Sequence, residues 1–176
     1  MEVEIIGPLA PYAGAPSFSR AVVDLLVRYA GIVERAGLCP YVRGGLGEVV
    51  VVLDHALDED LVAARIATSA APVLHLVFPC APREASRAFE RFCNAVATRV
   101  AGRGSVHAAF HPAMTGGNDD PDRRVGLVRR APDPFLQLVP GELAAAHRPL
   151  GDVEPVLAEL AALHAARNAL TFGAAA

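Results

Sequence analysis

Four short clusters in this 176-residue chain place a reactive or charged side chain beside a residue that restricts the backbone. They are Gly37-Leu38-Cys39-Pro40, Phe110-His111-Pro112, Asp119-Asp120-Pro121 and Arg129-Arg130-Ala131-Pro132. Proline beside a polar side chain is typical of loops that hold a functional group in place. The four clusters therefore predict a single polar site built from loops.

Cys39 is the candidate nucleophile or redox thiol. It follows a helix stop at Gly37 and precedes Pro40, so we expect it at an element boundary rather than in a core stripe. Nearby cations lower the pKa of a thiol and make it reactive, and Arg43 lies four residues further on. The C-terminal end of the preceding helix would oppose ionisation. A buried structural cysteine is therefore the open alternative, whereas Cys80 and Cys93 are interpreted as packing residues.

His111 is the candidate general base. It ends a predicted strand, at the sheet edge where open α/β proteins bind ligands, and Asp119 or Asp120 could orient it. The alternative is a turn histidine hydrogen-bonded to backbone. Arg129 and Arg130 could bind a carboxylate or phosphate through paired donors, or they could pair with those aspartates.

A mononuclear metal site is a further hypothesis. Cys39, His111 and Asp120 form a donor set that Zn²⁺ accepts, although they lack compact ligand spacing. The sequence contains no Cys-x-x-Cys pair, His-Glu-x-x-His, Gly-x-Ser-x-Gly or phosphate-loop motif. It therefore identifies no cofactor.

Composition limits the partners that we expect. The net charge is −3 and the pI is about 6.0, so no basic field favours nucleic acid or an anionic membrane. No apolar run approaches the roughly 20 residues that a membrane span needs. Three cysteines without paired spacing, and an N-terminus without a signal pattern, predict a reduced, cytoplasmic location. The expected partner is an anionic small molecule, and the oligomeric state is left open.

Hydrophobic periodicity predicts one α/β domain over residues 1–176. Helices are expected from Ser17 to Gly37, from Asp58 to about Ser69, from a first turn at Pro82 to about Val100, and from Asp152 to about Leu170. Predicted strands cover residues 3–6, 48–54, 73–79 and 105–110, and residues 124–128 could add a short edge strand. Residues 1–16 otherwise form an extended arm, 112–134 a long functional or flexible loop, and 173–176 a frayed tail.

Alternation of strands and helices predicts parallel pairing through right-handed crossovers, with helices covering the sheet. The expected fold class is a single-domain α/β sandwich with a small, mostly parallel or mixed sheet.

Four motifs in a fixed order resemble a known family. They are Gly37-Leu38-Cys39-Pro40-Tyr41 with Arg43, Phe110-His111-Pro112, Asp119-Asp120-Pro121, and the run from Arg130-Ala131-Pro132-Asp133-Pro134 to Leu138. Over about residues 18–145 they are similar to the bacterial family catalogued as domain of unknown function 1415. The resemblance implies site positions at Cys39, Arg43, His111, Asp120 and Arg130, and it supplies no activity.

The chain departs from the family pattern near these motifs. Arg129 replaces an asparagine, Ala131 a serine, Asp133 an aromatic residue and Ala113 an acidic residue. Pro140-Gly141 is expected to shorten the helix that follows the last motif. The resemblance therefore implies a divergent member with an altered substrate.

The leading hypothesis is a small cytoplasmic enzyme acting on an anionic small molecule. Cys39 would be its nucleophile or redox thiol and His111 the base that Asp120 orients, while Arg43, Arg129 and Arg130 bind negative charge. The enzyme would be a cysteine-dependent hydrolase, a transferase or a thiol redox enzyme. The alternative is a non-catalytic metabolite-binding module that uses the same arginines.

Overall fold

The computed structural model describes residues 2–6, 15–37, 47–116, 121–144 and 153–170. These residues form five strands and six α-helices, together with one 3₁₀ turn at Ala101–Arg103. The strands are β1 (Glu2–Ile6), β2 (Glu48–Val52), β3 (Leu74–Val77), β4 (Ser105–Phe110) and β5 (Phe135–Pro140). The helices are α1 (Ala15–Arg35), α2 (Glu59–Thr68), α3 (Ser86–Arg99), α4 (Pro121–Val128), α5 (Gly141–Ala144) and α6 (Glu154–Asn168).

The five strands form one mixed sheet in the order β1-β2-β3-β5-β4. Strands β1, β2 and β3 pair in parallel, whereas β5 is antiparallel to both of its neighbours, β3 and β4. Strand β4 therefore runs in the same direction as β1 to β3 but is separated from β3 by β5. The predicted mostly parallel or mixed sheet is confirmed, and the position of β5 is the feature that the element order did not reveal.

The predicted covering of the sheet by helices is confirmed, and the helices lie on both of its faces. On β2, Val49 and Val51 pack against the face covered by α1 and α6, while Val50 and Val52 pack against α2 and α3. All four valines are buried. A strand that is buried on both faces has no solvent-exposed side. The sequence of β2 is therefore a continuous run of β-branched residues.

Several sequence-predicted boundaries agree with the structure. Asp58 caps α2 by accepting hydrogen bonds from the backbone N–H groups of Asp60 and Leu61. Gly37 follows α1 with a φ of 66°, the left-handed conformation that ends helices. Pro155 lies in the first turn of α6, where its missing N–H costs no hydrogen bond.

Other boundaries differ from the prediction. Residues 121–128 form α4, so an edge strand at 124–128 is wrong and the predicted loop 112–134 contains a helix. Ala15 and Pro16 begin α1 instead of ending the arm. Pro82 precedes α3 and does not lie in its first turn, because a turn at residues 83–84 intervenes. Asp152, residues 7–14 of the arm and the tail 173–176 lie outside the described residues.

A close backbone approach fixes α4 against the segment after β4. A Cβ on Gly126 would overlap the carbonyl oxygen of Thr115, and a Cβ on Gly116 would come within 2.5 Å of Arg123 O and Leu127 N. Only glycine permits such an approach. The two glycines therefore allow α4 to lie directly against residues 115–116.

Among the helices of the described ranges, none combines the length and the apolar character that crossing a membrane requires.

Replacing Gly126 with alanine should lower the free energy of unfolding by about 1–3 kcal/mol, because the added methyl group forces two backbone segments apart. Urea unfolding at neutral pH measures this effect. Gly102→Ala is the matched control, since an added Cβ at that position meets no atom within 4 Å. Equal stability of the two variants would contradict the close approach.

Candidate functional site

The structure describes part of the predicted site. His111, Arg129 and Arg130 lie within the described ranges, whereas Cys39, Arg43, Asp119 and Asp120 lie outside them. The pairing of Cys39 with His111, and the orientation of His111 by an aspartate, therefore stay predictions.

The carboxyl ends of the parallel strands meet at one edge of the sheet. Asp54 follows β2, Cys80 follows β3 and His111 follows β4. Because β5 is antiparallel, its first residues begin at this same edge, and Asp133 lies just before them. Open α/β sheets bind ligands at such an edge, particularly where the strand order reverses. The insertion of β5 adds residues 129–134 to that location.

His111 is fully buried, and both of its ring nitrogens contact backbone groups. Its Nε2 lies 3.0 Å from the carbonyl oxygen of Pro82, to which it donates, and its Nδ1 accepts from Ala113 N–H at 3.1 Å. The imidazole lies 5.6 Å from the Phe89 ring, centroid to centroid. Burial lowers the pKa of His111, so the ring is neutral at neutral pH. This geometry supports the turn-histidine alternative, in which His111 positions the backbone around it.

The backbone of Arg129 and Arg130 is fixed by hydrogen bonds from both directions. The carbonyl of Arg129 accepts from the N–H groups of His111 at 3.0 Å and Ala131 at 2.9 Å. Arg130 donates its N–H to Leu127 O at 3.1 Å, and its carbonyl lies 3.1 Å from Nε2 of His164 on α6. The backbone of this arginine segment, residues 129–133, is therefore held independently of any ligand.

The charges of Arg129 and Arg130 affect histidines on different elements, His107 on β4 and His164 on α6. Burial, together with the charge of Arg129, lowers the pKa of His107 on β4. Burial also lowers the pKa of His164, and the charges of Arg83 and Arg130 lower it further. The side chain of Arg130 is exposed. Within the described ranges, neither Arg129 nor Arg130 has a carboxylate at ion-pair distance.

A buried ion-pair cluster lies beside the arginine segment. Asp133 is 4% exposed, and its carboxylate oxygens lie 2.6 and 2.7 Å from Nε of Arg167. Arg83 Nη1 contacts the same carboxylate at 3.2 Å. Arg167 also donates to Pro79 O at 3.1 Å and lies over the Phe18 ring. Burial raises the pKa of Asp133, and the two guanidinium charges oppose that rise.

Sequence reasoning missed this cluster, although two signals were available. Asp133 stands where the resembling family has an aromatic residue. Arg167 continues the spacing of Val156, Leu160 and Leu163 on the buried stripe of α6. An arginine at a core position of a helix requires a buried acceptor, because an unpaired buried charge is too costly. The pattern thus indicated a partner for Arg167 without identifying it.

The two described cysteines are packing residues, as predicted. Cys93 is fully buried on α3, and burial raises its pKa strongly. Cys80 is partly buried against the core that α1 and α6 cover. Burial raises the pKa of Cys80 despite the opposing charge of Arg167. Neither thiol has the environment of a reactive thiolate.

No three histidine, cysteine or acidic side chains of the described ranges come together in a group able to hold a metal ion. Two members of the proposed ligand set, Cys39 and Asp120, lie outside those ranges. The metal site therefore stays a prediction, with His111 as its described member.

Replacing Asp133 with asparagine should lower the free energy of unfolding by about 3–5 kcal/mol, because it leaves Arg167 charged and buried without a counter-ion. Chemical unfolding monitored by circular dichroism measures the loss. Glu159→Gln is the control, since it removes only an exposed ion pair with Arg35 and should change stability by less than about 1 kcal/mol. A comparably small effect of Asp133→Asn would show that the buried pair is dispensable.

Comparison with known proteins finds no family model, curated protein or solved structure that matches this chain. The resemblance to domain of unknown function 1415 therefore stays a prediction from the motifs.

Proposed function

We propose that this protein binds an anionic small molecule, a carboxylate or phosphate compound, at the carboxyl edge of its sheet. This step is common to the enzyme and to the binding module that the sequence predicts. We also propose a cytoplasmic location, which the three cysteines without paired spacing support.

One observation carries the proposal: Arg130 combines a fixed backbone with an exposed guanidinium. Its N–H and carbonyl groups are both hydrogen-bonded, and in the described part of the chain no carboxylate pairs with its side chain. A positioned arginine is a suitable donor for carboxylate and phosphate oxygens, because its planar fork matches two of them. Arg129 adds a second positive charge to the same segment.

The surroundings of His111 favour the binding module over an enzyme that uses His111 as base. Both ring nitrogens already contact backbone groups, and the side chain is fully buried. A general base has to reach the proton that it removes. His111 instead links residues at 82, 113 and 129 at the sheet edge, which positions the arginine segment.

Binding of inorganic phosphate tests the proposal. Arg130→Gln should weaken phosphate binding about tenfold or more, because a charge-assisted hydrogen bond is lost, while the fold is retained. Isothermal titration calorimetry compares it with Arg28→Gln, a control that removes an exposed arginine of α1. The proposal fails if the wild-type protein binds neither phosphate nor a dicarboxylate such as succinate, or if both variants bind equally well.

A thiol enzyme is the second candidate, and the motif around Cys39, with Arg43 four residues further on, supports it. The helix stops at Arg35 and Gly37 adopts a positive φ, so Cys39 follows a helix terminus as the sequence predicts. In this version the Cys39 thiolate attacks an electrophilic atom of a substrate that Arg43, Arg129 and Arg130 hold and displaces its leaving group, and Asp120 belongs to the same site.

The pH dependence of alkylation tests the thiol. We expect Cys39 to react with an apparent pKa below the ordinary value of about 8.5. Cys80 and Cys93 should react more slowly, because burial raises the pKa of both. Peptide mapping after iodoacetamide treatment separates the three sites, and Cys39→Ser identifies the signal. A Cys39 that reacts only in the unfolded protein excludes the covalent mechanism and leaves the binding module.

A further inference from the structure

Two side chains from different elements flank the arginine segment beside Arg130. His164 on α6 contacts the carbonyl oxygen of Arg130, 3.1 Å from its Nε2. Arg83, from the connection before α3, donates through Nη1 to the carbonyl oxygen of Pro132 at 2.5 Å. Its Nη2 contacts Oδ1 of Asn168 at 3.2 Å. Because His164 and Asn168 are one helical turn apart on α6, Arg83 and His164 lie on the same side of residues 130–132.

The charges around this stretch do not balance at its outer surface. Asp133 is the acidic group of the cluster, but its side chain is 5% exposed and both of its oxygens face Nε of Arg167. Its contact with Arg83 is longer, at 3.2 Å, and the Arg83 side chain remains 27% exposed. Arg130 is exposed as well. The buried carboxylate is thus matched mainly by Arg167. Arg83 stays partly exposed although Pro132 O, Asp133 and Asn168 accept from it and the charge of Glu84 also faces it, so Arg130 supplies most of the positive charge at this surface.

We infer that Arg83, His164 and Arg130 form one binding site for a doubly charged oxyanion group of the phosphate or sulfate type. The inference rests on the proposed function and adds two contact residues and a ligand charge to it. The guanidinium of Arg130 offers a planar donor pair to such a group, and Arg83 adds its charge and the N–H groups that its contacts with Pro132, Asp133 and Asn168 leave over. A single carboxylate would leave part of this positive charge uncompensated, so the site favours dianions over monoanions.

Binding of the dianion is coupled to proton uptake by His164. In the free protein, Arg83 and Arg130 face the imidazole, Arg167 and Asn168 lie one turn along its own helix, and Asp133 is held by Arg167. Burial and the two arginine charges lower the pKa of His164, the hydrogen bond to the Arg130 carbonyl opposes them, and the ring is neutral at neutral pH. An oxyanion between the arginines compensates those charges, which favours the imidazolium form. Affinity therefore falls as the pH rises through the pKa of His164 in the complex.

Inorganic sulfate is the probe, because it remains doubly ionised from about pH 5 to about pH 9 and any proton taken up then comes to the protein. Calorimetric titration of the full chain, in buffers of different ionisation enthalpy, gives both affinity and proton uptake. The variants are Arg83→Gln, His164→Gln and Arg130→Gln, with Arg28→Gln as control. Acetate serves as the monoanion for comparison.

The wild-type protein should bind sulfate at least about tenfold more tightly than acetate, and Arg83→Gln should remove most of that preference. His164→Gln keeps a donor for the Arg130 carbonyl but cannot gain a proton. It should abolish proton uptake and flatten the pH dependence, an effect that a merely structural role would not produce. If Arg83→Gln does not fold, Arg83→Lys replaces it as the variant that retains the charge. The proton uptake and pH dependence of His164→Gln then test the inference by themselves.

The outcomes separate this inference from the proposed function. If Arg130→Gln loses sulfate while Arg83→Gln and His164→Gln keep wild-type affinity and proton uptake, Arg130 binds anions without the two additional residues and the inference is wrong. Equal affinity for sulfate and acetate would also overturn it. If the wild-type protein binds no anion at all, the proposed function fails together with the inference.

Discussion

The buried ion pair between Asp133 and Arg167 is the interaction on which the arrangement of the sheet edge depends. It joins the residue before β5 to the last turn of α6, and through Pro79 O it also reaches the end of β3. A buried charge is tolerated only when a partner and further hydrogen bonds compensate its desolvation. Both charges here have such partners, so α6 and the arginine segment occupy fixed positions relative to the sheet. Arg83, which contacts the same carboxylate, adds the connection before α3 to this arrangement.

Two different kinds of group hold the arginine segment, and this explains how exposed charges can be well positioned. The backbone N–H of His111, inside the fold, donates to Arg129 O, and the neutral imidazole of His164 on α6 donates to Arg130 O. The guanidinium of Arg130, by contrast, is turned toward solvent. Binding to a donor whose backbone is already fixed costs less conformational entropy than binding to a mobile donor, because less of the protein has to become ordered. The buried contacts of His111 therefore position the exposed cation, although His111 itself does not touch the proposed ligand.

The mixed sheet places these groups together. Strand β5 returns between β3 and β4, and residues 129–134 lead into it. Direct pairing of β4 with β3 would leave no place for β5 there, and residues 129–134 would then lie away from the carboxyl edge. Insertion of β5 is compatible with the core because β5 is apolar on both faces, with Leu136 and Leu138 toward α2 and α3 and Phe135 toward α1. The side chains of His75 and Gln137 meet across β3 and β5 at 2.9 Å between their Nε2 atoms, which pairs two buried polar side chains inside this sheet.

The sequence by itself determined the elements that local patterns specify. The valines of β2, the Asp58 cap and the glycine after α1 each act through neighbouring residues, so their structures follow from short-range sterics and hydrogen bonding. The predicted sheet covered by helices follows from the same periodicity, since each apolar face has to be buried. The tertiary structure alone decided the position of β5, the helix at 121–128, and the meeting of Arg83, Asp133, His164 and Arg167. These features depend on contacts between residues far apart in the chain, such as Gly126 against Thr115 and Arg167 against Asp133. The local periodicity of the sequence does not identify these partner residues, because the packing of whole helices and strands decides which residues meet.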